Sequence, residues 1–380
     1  MTGIEYFQQL SDKKINILKD LYHYRAMTTE QIKSKYFPNS KQYVNKVLHE
    51  LRRDNFISSK TLSGSRKNKK GLSYHYLTEP GLECLGRHHI SVDGHVQNLY
   101  VKPSQLNYIL LANELVVHLE KSGWEIWDSR RFKKQYNLDS RMNILGLLIA
   151  PDGRRYGFYV MEDGILSTTL GRIHAEIRDF YPKIKNYIIF SKGAASYNEF
   201  VNKALNPSPK RVGNKVVSQF PIITGYELKV LPFRVGKLFY KAFPTRKDWI
   251  ATLLNYFGFE IISDRNERNN NGNIGVTRGS GASSITLARQ TFDTIVRYKG
   301  EEMYFADLTE SDLTLLQEIN AYNENDYLRE NNRKLLVITL SVFQQEWLTK
   351  HPFMHHLVLR THDFEELINK KLKQDQSEKH

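Results

Sequence analysis

Two stretches of this chain repeat one order of elements, and an internal duplication restricts the architecture before any local motif does. In the first, a helix over residues 105–121 leads into Gly123-Trp124-Glu125-Ile126-Trp127-Asp128-Ser129-Arg130. In the second, a helix over residues 246–257 leads into Gly258-Phe259-Glu260-Ile261-Ile262-Ser263-Asp264-Arg265. Each then offers a strand, a glycine turn and a second strand: 143–149, Pro151-Asp152-Gly153 and 156–161, against 292–298, Lys299-Gly300 and 303–309. A helix follows in both, then an apolar strand (186–191 and 334–341), a helix (196–204 and 342–350) and a last strand (226–231 and 356–360). Matched glycines lie 135 residues apart at Gly123 and Gly258, and 147 apart at Gly153 and Gly300. The difference has a source in the Asn/Gly/Ser-rich run 269–284, which reads as part of a flexible surface loop, 266–284, inserted in the second copy. The alternative is a chance likeness between two ordinary α/β units.

Ahead of the repeat the pattern changes. Ile15, Leu18, Leu21 and Tyr22 recur at helical spacing and predict a helix over 12–24. A second helix follows, with Thr28 or Thr29 able to cap it, Gln31 placed as in a capping box, and Pro38 stopping it after Tyr36 and Phe37. A third helix, over 40–55, would bury Val44, Val47, Leu48 and Leu51 and leave Lys41, Gln42, Tyr43, Asn45, Lys46 and His49 on its other face, with Arg52 and Arg53 near its end. Two β-rich runs, 56–62 and 72–77, flank a glycine-bounded basic tip carrying Arg66, Lys67, Lys69 and Lys70, which is the pattern of a hairpin. Three helices and such a hairpin make a winged helix-turn-helix. Gln and Asn can bond adenine bidentately, Lys can reach guanine, and the wing lysines and arginines suit phosphates. His49 can equally be a surface histidine without a role. Thr78-Glu79-Pro80-Gly81 starts a short closing helix in which Cys84 reads as a small core residue.

Charge supports this division. The 380 residues carry 55 Lys+Arg against 41 Asp+Glu, a formal net charge of +14. Residues 1–90 hold 16 Lys/Arg and 8 Asp/Glu, so more than half of the excess sits in under a quarter of the chain. That is the asymmetry of a module for an anionic partner, with double-stranded DNA ahead of a membrane surface. A hydrophobic share of 40% and a charged share of 25% exclude global disorder. A single cysteine excludes an internal disulfide or a thiolate metal cluster. No run is apolar enough to span a membrane, and residues 1–10 lack a basic-then-apolar signal, so the expected location is cytoplasmic, with nucleoid or plasmid.

The repeated order resembles the restriction-endonuclease-like fold, where an Asp on one strand and an Asp/Glu-x-Lys on the next hold Mg²⁺ beside a scissile phosphate. In the first copy the Asp position is Asn143 and the next strand has no carboxylate until Glu162. In the second, Asp293 and Asp307 fall on adjacent strands, but Thr309 stands at the lysine position. Both copies therefore read as degenerate, with Asp293 and Asp307, or an unidentified tyrosine, as the catalytic candidates of a nicking enzyme, and Mg²⁺ as a cofactor only if the carboxylates work. A tyrosine nucleophile has no distinguishing signal among 22 tyrosines. His351, His355 and His356 lack the His-x-His alternation of a relaxase metal site. Arg172, His174 and Arg178 would extend a basic surface, and Gly279-Ser280-Gly281 lacks the lysine of a phosphate-binding loop.

The phrases 21–32 (Leu-Tyr-His-Tyr-Arg-Ala-Met-Thr-Thr-Glu-Gln-Ile), 47–57 (Val-Leu-His-Glu-Leu-Arg-Arg-Asp-Asn-Phe-Ile) and 74–81 (Tyr-His-Tyr-Leu-Thr-Glu-Pro-Gly) resemble the replication-relaxation family of plasmid and mobile-element proteins. The helix with Ala112-Asn113-Glu114-Leu115 is similar to the family's next block, so the resemblance covers residues 12–150. It implies a role in plasmid or mobile-element replication, origin binding or DNA relaxation. Many relatives carry Pro-Asp where this chain has Met142-Asn143, a departure that weakens the case for nuclease chemistry. The expected architecture is mixed α+β and α/β: a winged helix-turn-helix (1–92), a first α/β domain (100–235) and a second (236–380). The expected protein is a plasmid- or phage-borne duplex DNA-binding protein acting at an origin or operator, a homodimer with a possible replication or regulatory protein partner. The competing readings are a DNA nicking or relaxing enzyme and a transcription repressor whose C-terminal region senses a partner.

Overall fold

The computed structural model describes residues 10–40, 42–62, 72–92, 94–207, 209–213, 215–217, 222, 227–264, 292, 294–340 and 342–377. The chain is mixed α/β and divides into two compact units. The first comprises 1–121 with 126–135, and the second 122–125 with 136–380.

The first unit opens with α1 (Asp12–Tyr24), the strand β1 (Met27–Thr28), α2 (Thr29–Tyr36) and α3 (Tyr43–Arg53). Thr28 caps α2 in a reciprocal box: its hydroxyl accepts from the Gln31 amide, and the Gln31 side chain accepts from the Thr28 N–H at 2.9 Å. Asn55 ends α3 in the left-handed region at φ 58°, which Asn tolerates better than most residues. The turn lets the Phe56 N–H return to the Leu51 carbonyl at 2.9 Å. The strands β2 (Ile57–Leu62) and β3 (Leu72–Leu77) pair antiparallel, and β1 joins β3 to give the order β1-β3-β2. Then come α4 (Glu79–Arg87), α5 (Pro103–Leu119), β4 (Glu125–Asp128) and α6 (Ser129–Gln135). One apolar core joins Ile17, Leu18 and Leu21 of α1, Ile32 of α2, Val44, Val47, Leu48 and Leu51 of α3, Ile57 and Leu77 of the hairpin, and Leu82 and Leu85 of α4.

Polar contacts tie α5 and its successors to the early helices. The Asn113 amide donates to the carbonyls of Tyr24 and Ala26 at 3.1 and 2.5 Å, and the Gln31 amide donates to the Leu110 carbonyl at 2.6 Å. Lys35 sits between Asp20 and Glu120 at 2.8 and 2.6 Å, and Arg130 donates to the Tyr22 carbonyl at 2.6 Å.

In the second unit the repeat becomes a repeated topology. The strands β5 (Gly146–Ile149) and β6 (Arg155–Met161) are antiparallel; α7 (Ser167–Phe180) returns the chain to β7 (Asn186–Ser191), parallel to β6. After α8 (Ala194–Leu205) and the small ribbon β8 (Lys210–Val212) and β9 (Lys215–Val217), β10 (Glu227–Pro232) adds in parallel to β7. Two helices, α9 (Phe233–Ala242) and α10 (Arg246–Phe257), lead to β11 (Glu260–Asp264), which pairs antiparallel with β12 (Thr294–Tyr298), as β12 does with β13 (Glu301–Asp307). Past α11 (Leu313–Ala321) and α12 (Glu324–Arg329), β14 (Lys334–Thr339) joins β13 in parallel. Past α13 (Val342–Glu346), β15 (Met354–Val358) joins β14 in parallel, and α14 (Thr361–Ser377) closes the unit.

The run β5-β6-β7-β10 thus matches β12-β13-β14-β15 in order and in sense at every step. The matched glycines match in backbone as well: Gly123 and Gly258 have φ 84° and 72°, and Gly153 and Gly300 have 85° and 84°. All four need the left-handed region that a side chain disfavours. The strands β7 and β14 are buried along nearly their whole length, as parallel strands covered on both faces are.

Candidate nucleic-acid interface

The geometry of α3 separates its two jobs. Val44, Val47, Leu48 and Leu51 are each 3% exposed or less, while Gln42, Tyr43, Asn45, Lys46, His49, Arg52 and Arg53 all lie on the open side. Tyr43 is 52% exposed and stands edge-on to Phe37 at 5.4 Å, so its ring is braced while its hydroxyl end stays in solvent. The face is also cationic on balance. Its carboxylate, Glu50, is taken by Lys14 of α1 at 2.8 Å, and Arg53 pairs with Asp54 at 2.9 Å. Among the described residues neither Lys46 nor Arg52 is in an ion pair. Lys41 and the tip residues Arg66, Lys67, Lys69 and Lys70 lie outside the described residues.

The hairpin is held to the helices from its inner side. Directly paired residues of an antiparallel ladder project to one face, and the pairs Ile57–Leu77 and Ser59–His75 look into the core. His75 is 2% exposed and touches Thr29 Oγ1 through Nε2 at 2.9 Å and Ser59 Oγ through Nδ1 at 2.6 Å. It fastens the start of α2 to both strands.

The nuclease-like positions of the second unit are occupied differently. Asn143 donates its backbone N–H and its amide to Glu176 of α7 at 2.7 and 2.8 Å, and the Tyr159 hydroxyl donates to the same carboxylate at 3.0 Å. Asp307 accepts the Trp249 indole at 2.9 Å on one oxygen and the Thr309 N–H and hydroxyl at 2.9 and 2.7 Å on the other. Burial, with the negative charge of Glu310, raises its carboxyl above the ordinary range. Asp293 lies outside the described residues, as do Gly279-Ser280-Gly281 and the expected loop 266–284. His355 and His356 are consecutive on β15, so their rings leave on opposite faces. His356 bonds Thr339 at 2.8 Å and His355 packs on the Tyr298 ring. Arg172 and Arg178 are exposed as expected, but His174 is not part of that surface. It is buried edge-on against Phe200 at 4.5 Å, and burial lowers its imidazole to about 4.

One constellation escapes the sequence reading. Lys229 is 3% exposed, with Nζ 2.8 Å from Glu310 and 3.4 Å from Glu227. Tyr156 donates to Glu227 at 2.6 Å, Tyr240 donates to Glu310 at 2.7 Å, and Arg246 reaches Glu227 at 3.4 Å. Burial alone would raise Glu227, but Lys229, Arg246 and Arg154 outweigh it and hold the carboxyl at about 2. Asp312 accepts three backbone N–H groups, yet burial and Glu227 push it up to about 6. The available signal was Glu227-Leu228-Lys229 inside an apolar strand. That phrase has the Asp/Glu-x-Lys spelling, but the ammonium itself occupies the space between the carboxylates, where a metal would have to sit. Among the described residues the groups close enough to share an ion reduce to His362, Asp363 and Glu366. Of these, Asp363 is already held by Arg360 at 2.7 Å and Tyr256 at 2.9 Å.

Residues 18–162 match the replication-relaxation family. The matched span begins within α1 and ends just past β6, so it takes in α3, the hairpin, α5 and the first two strands of the repeat. No curated protein and no solved structure matches the chain. No helix among the described residues is long and apolar enough to cross a membrane.

Proposed function

We propose that this is a duplex DNA-binding protein of a plasmid, phage or other mobile element, acting at an origin or operator in replication or its control. The observation that carries the reading is the open face of α3, where Gln42, Asn45, Lys46, His49 and Arg52 stand together above a fully buried apolar stripe. The three helices, the short β1 and the β2–β3 ribbon are read as a winged helix, with α3 in the major groove and the wing on phosphates. The replication-relaxation match supports a mobile-element setting. In this reading the two α/β copies are degenerate nuclease-like domains that dimerise or recruit a partner. The hydrogen bonds that saturate Asp307 favour this over a nicking centre at Asp293 and Asp307.

Selection of bound duplexes from a random pool, followed by fluorescence anisotropy on the selected site, tests it. Asn45→Ala or Gln42→Ala should relax discrimination at one base position by about 1–3 kcal/mol, while Lys67→Ala should weaken all sequences alike and flatten the salt slope by about one. Failure to bind duplex at low ionic strength, or equal effects from both groups, overturns the reading. Loss of plasmid supercoiling that depends on Mg²⁺ and vanishes in Asp307→Ala would put the nicking enzyme in its place.

A further inference from the structure

A cleft of about 500 Å³ opens on the outer face of the hairpin in the first unit. There the pairs Ser58–Tyr76 and Lys60–Tyr74 point away from the core, and the chain on its way to α5 crosses them without filling the space. Tyr74 and Tyr76, with ring centroids 6.3 Å apart, line it together with Leu99, Tyr100, Val101 and Leu106. The volume falls in the range of small-molecule sites, and the lining is chiefly apolar and aromatic, as such sites are. Tyr100 remains 63% exposed at the rim.

Among the described residues, two cations are set into this lining and no acidic residue is. Lys60 holds Nζ 5.4 Å over the Tyr76 ring. Arg25 follows α1 with φ 65°, a left-handed turn unusual for Arg that fixes where its side chain starts. It is half-buried, and among the described residues neither Arg25 nor Lys60 is in an ion pair. Burial, and then the nearby Arg130, lower the Arg25 guanidinium, so its charge is disfavoured where it stands. The carboxylate of Asp128 offsets this only in part and forms no ion pair with Arg25, and a half-buried cation without a paired anion is an incomplete arrangement.

We propose that this cleft is a binding site for a small aromatic anion, a carboxylate or sulfonate. Its ring lies among Tyr74, Tyr76 and Tyr100, and its charged head rests on Arg25 and Lys60. The lining offers one side-chain amide, Gln97, which is too little polar complementarity for reading a nucleobase edge. The site is independent of the DNA reading, and its test contains no DNA.

The full chain would be titrated by calorimetry with 2-naphthoate and, separately, with neutral 2-naphthalenemethanol. One saturable site per chain is expected for the anion. Binding should weaken at least about tenfold for the neutral analogue and for Arg25→Gln or Lys60→Gln, each removing a charge-assisted bond. Lys60 is exposed on its strand, so Lys60→Gln keeps the fold and decides the matter should Arg25→Gln unfold. No binding of the anion, equal affinity for the neutral analogue, or unchanged affinity in Lys60→Gln overturns the proposal.

Discussion

At the scale of single residues, His75 has the plainest consequence. Its two ring nitrogens face hydroxyls, each able to donate or accept, so the neutral ring is satisfied in either tautomer. A second ring proton would place a charge in the core with Arg52 nearby, and burial, then Arg52, lower the imidazole to about 4 from its ordinary 6.5. Between those values the unfolded chain binds the proton and the folded one does not. Stability is therefore complete above about pH 6.5 and falls as the pH drops, by about 3 kcal/mol near pH 4. A proton NMR titration should show the His75 ring still neutral at about pH 5.5, well below a free imidazole's midpoint. A midpoint above pH 6 would contradict this. Neither His75 nor His174 was readable as buried: each sits in a run of mixed character, and which face of a strand or helix is covered depends on partners far away in the chain.

Elements were more legible where one physical signal dominated. The spacing of Leu18 and Leu21 gives α1 its observed bounds, Asp12–Tyr24, and the Thr28–Gln31 box gives α2 its start. The third helix is shorter than 40–55 because Gln42, at φ −122°, stands outside the helical range and Asn55 turns left-handed. β1 was not foreseen, since two residues have no periodicity, and it exists because the hairpin offers β3 as a partner. The phrase Thr78-Glu79-Pro80-Gly81 announces a helix start, with Thr78 as its cap, but the reason for its glycine is tertiary. A Cβ on Gly81 would lie 2.1 Å from the Phe56 carbonyl oxygen, which is backbone and cannot step aside. Gly81→Ala should therefore push α4 off its seat and destabilise the first unit by about 1–3 kcal/mol. Urea denaturation checks it, and a midpoint equal to wild type would show that the backbone yields freely.

On the scale of the whole molecule, the duplication was legible because glycines, turns and apolar strands recur in order, and the paired sheets repeat it. What joins the copies was not. Lys229 from the first sheet meets Glu310 just past β13 of the second, an isolated bridge pairs Lys229 with Asp312, and the Leu228 N–H donates to the Asp312 carboxylate at 3.1 Å. Local sequence cannot announce a contact between residues some eighty positions apart. Lys229→Met should leave Glu310 buried without its cation and Glu227 with only the arginines Arg246 and Arg154, and destabilise the second unit by about 3–5 kcal/mol. Pairing it with Glu310→Gln should recover part of the loss, and chemical denaturation of the single and double variants separates a coupled network from independent contacts.

The bonds from α5 back to α1 and α2 bear on where the chain can be cut. A fragment stopped at residue 92 would strip Asn113 from the carbonyls of Tyr24 and Ala26, strip Leu110 from Gln31, and remove one of the two carboxylates around Lys35. A fragment carried to residue 135 keeps all of them. Circular dichroism melts should find the longer piece cooperative and the shorter one melting lower or aggregating, while equal melting temperatures would mean that α5 merely leans on a body able to stand without it.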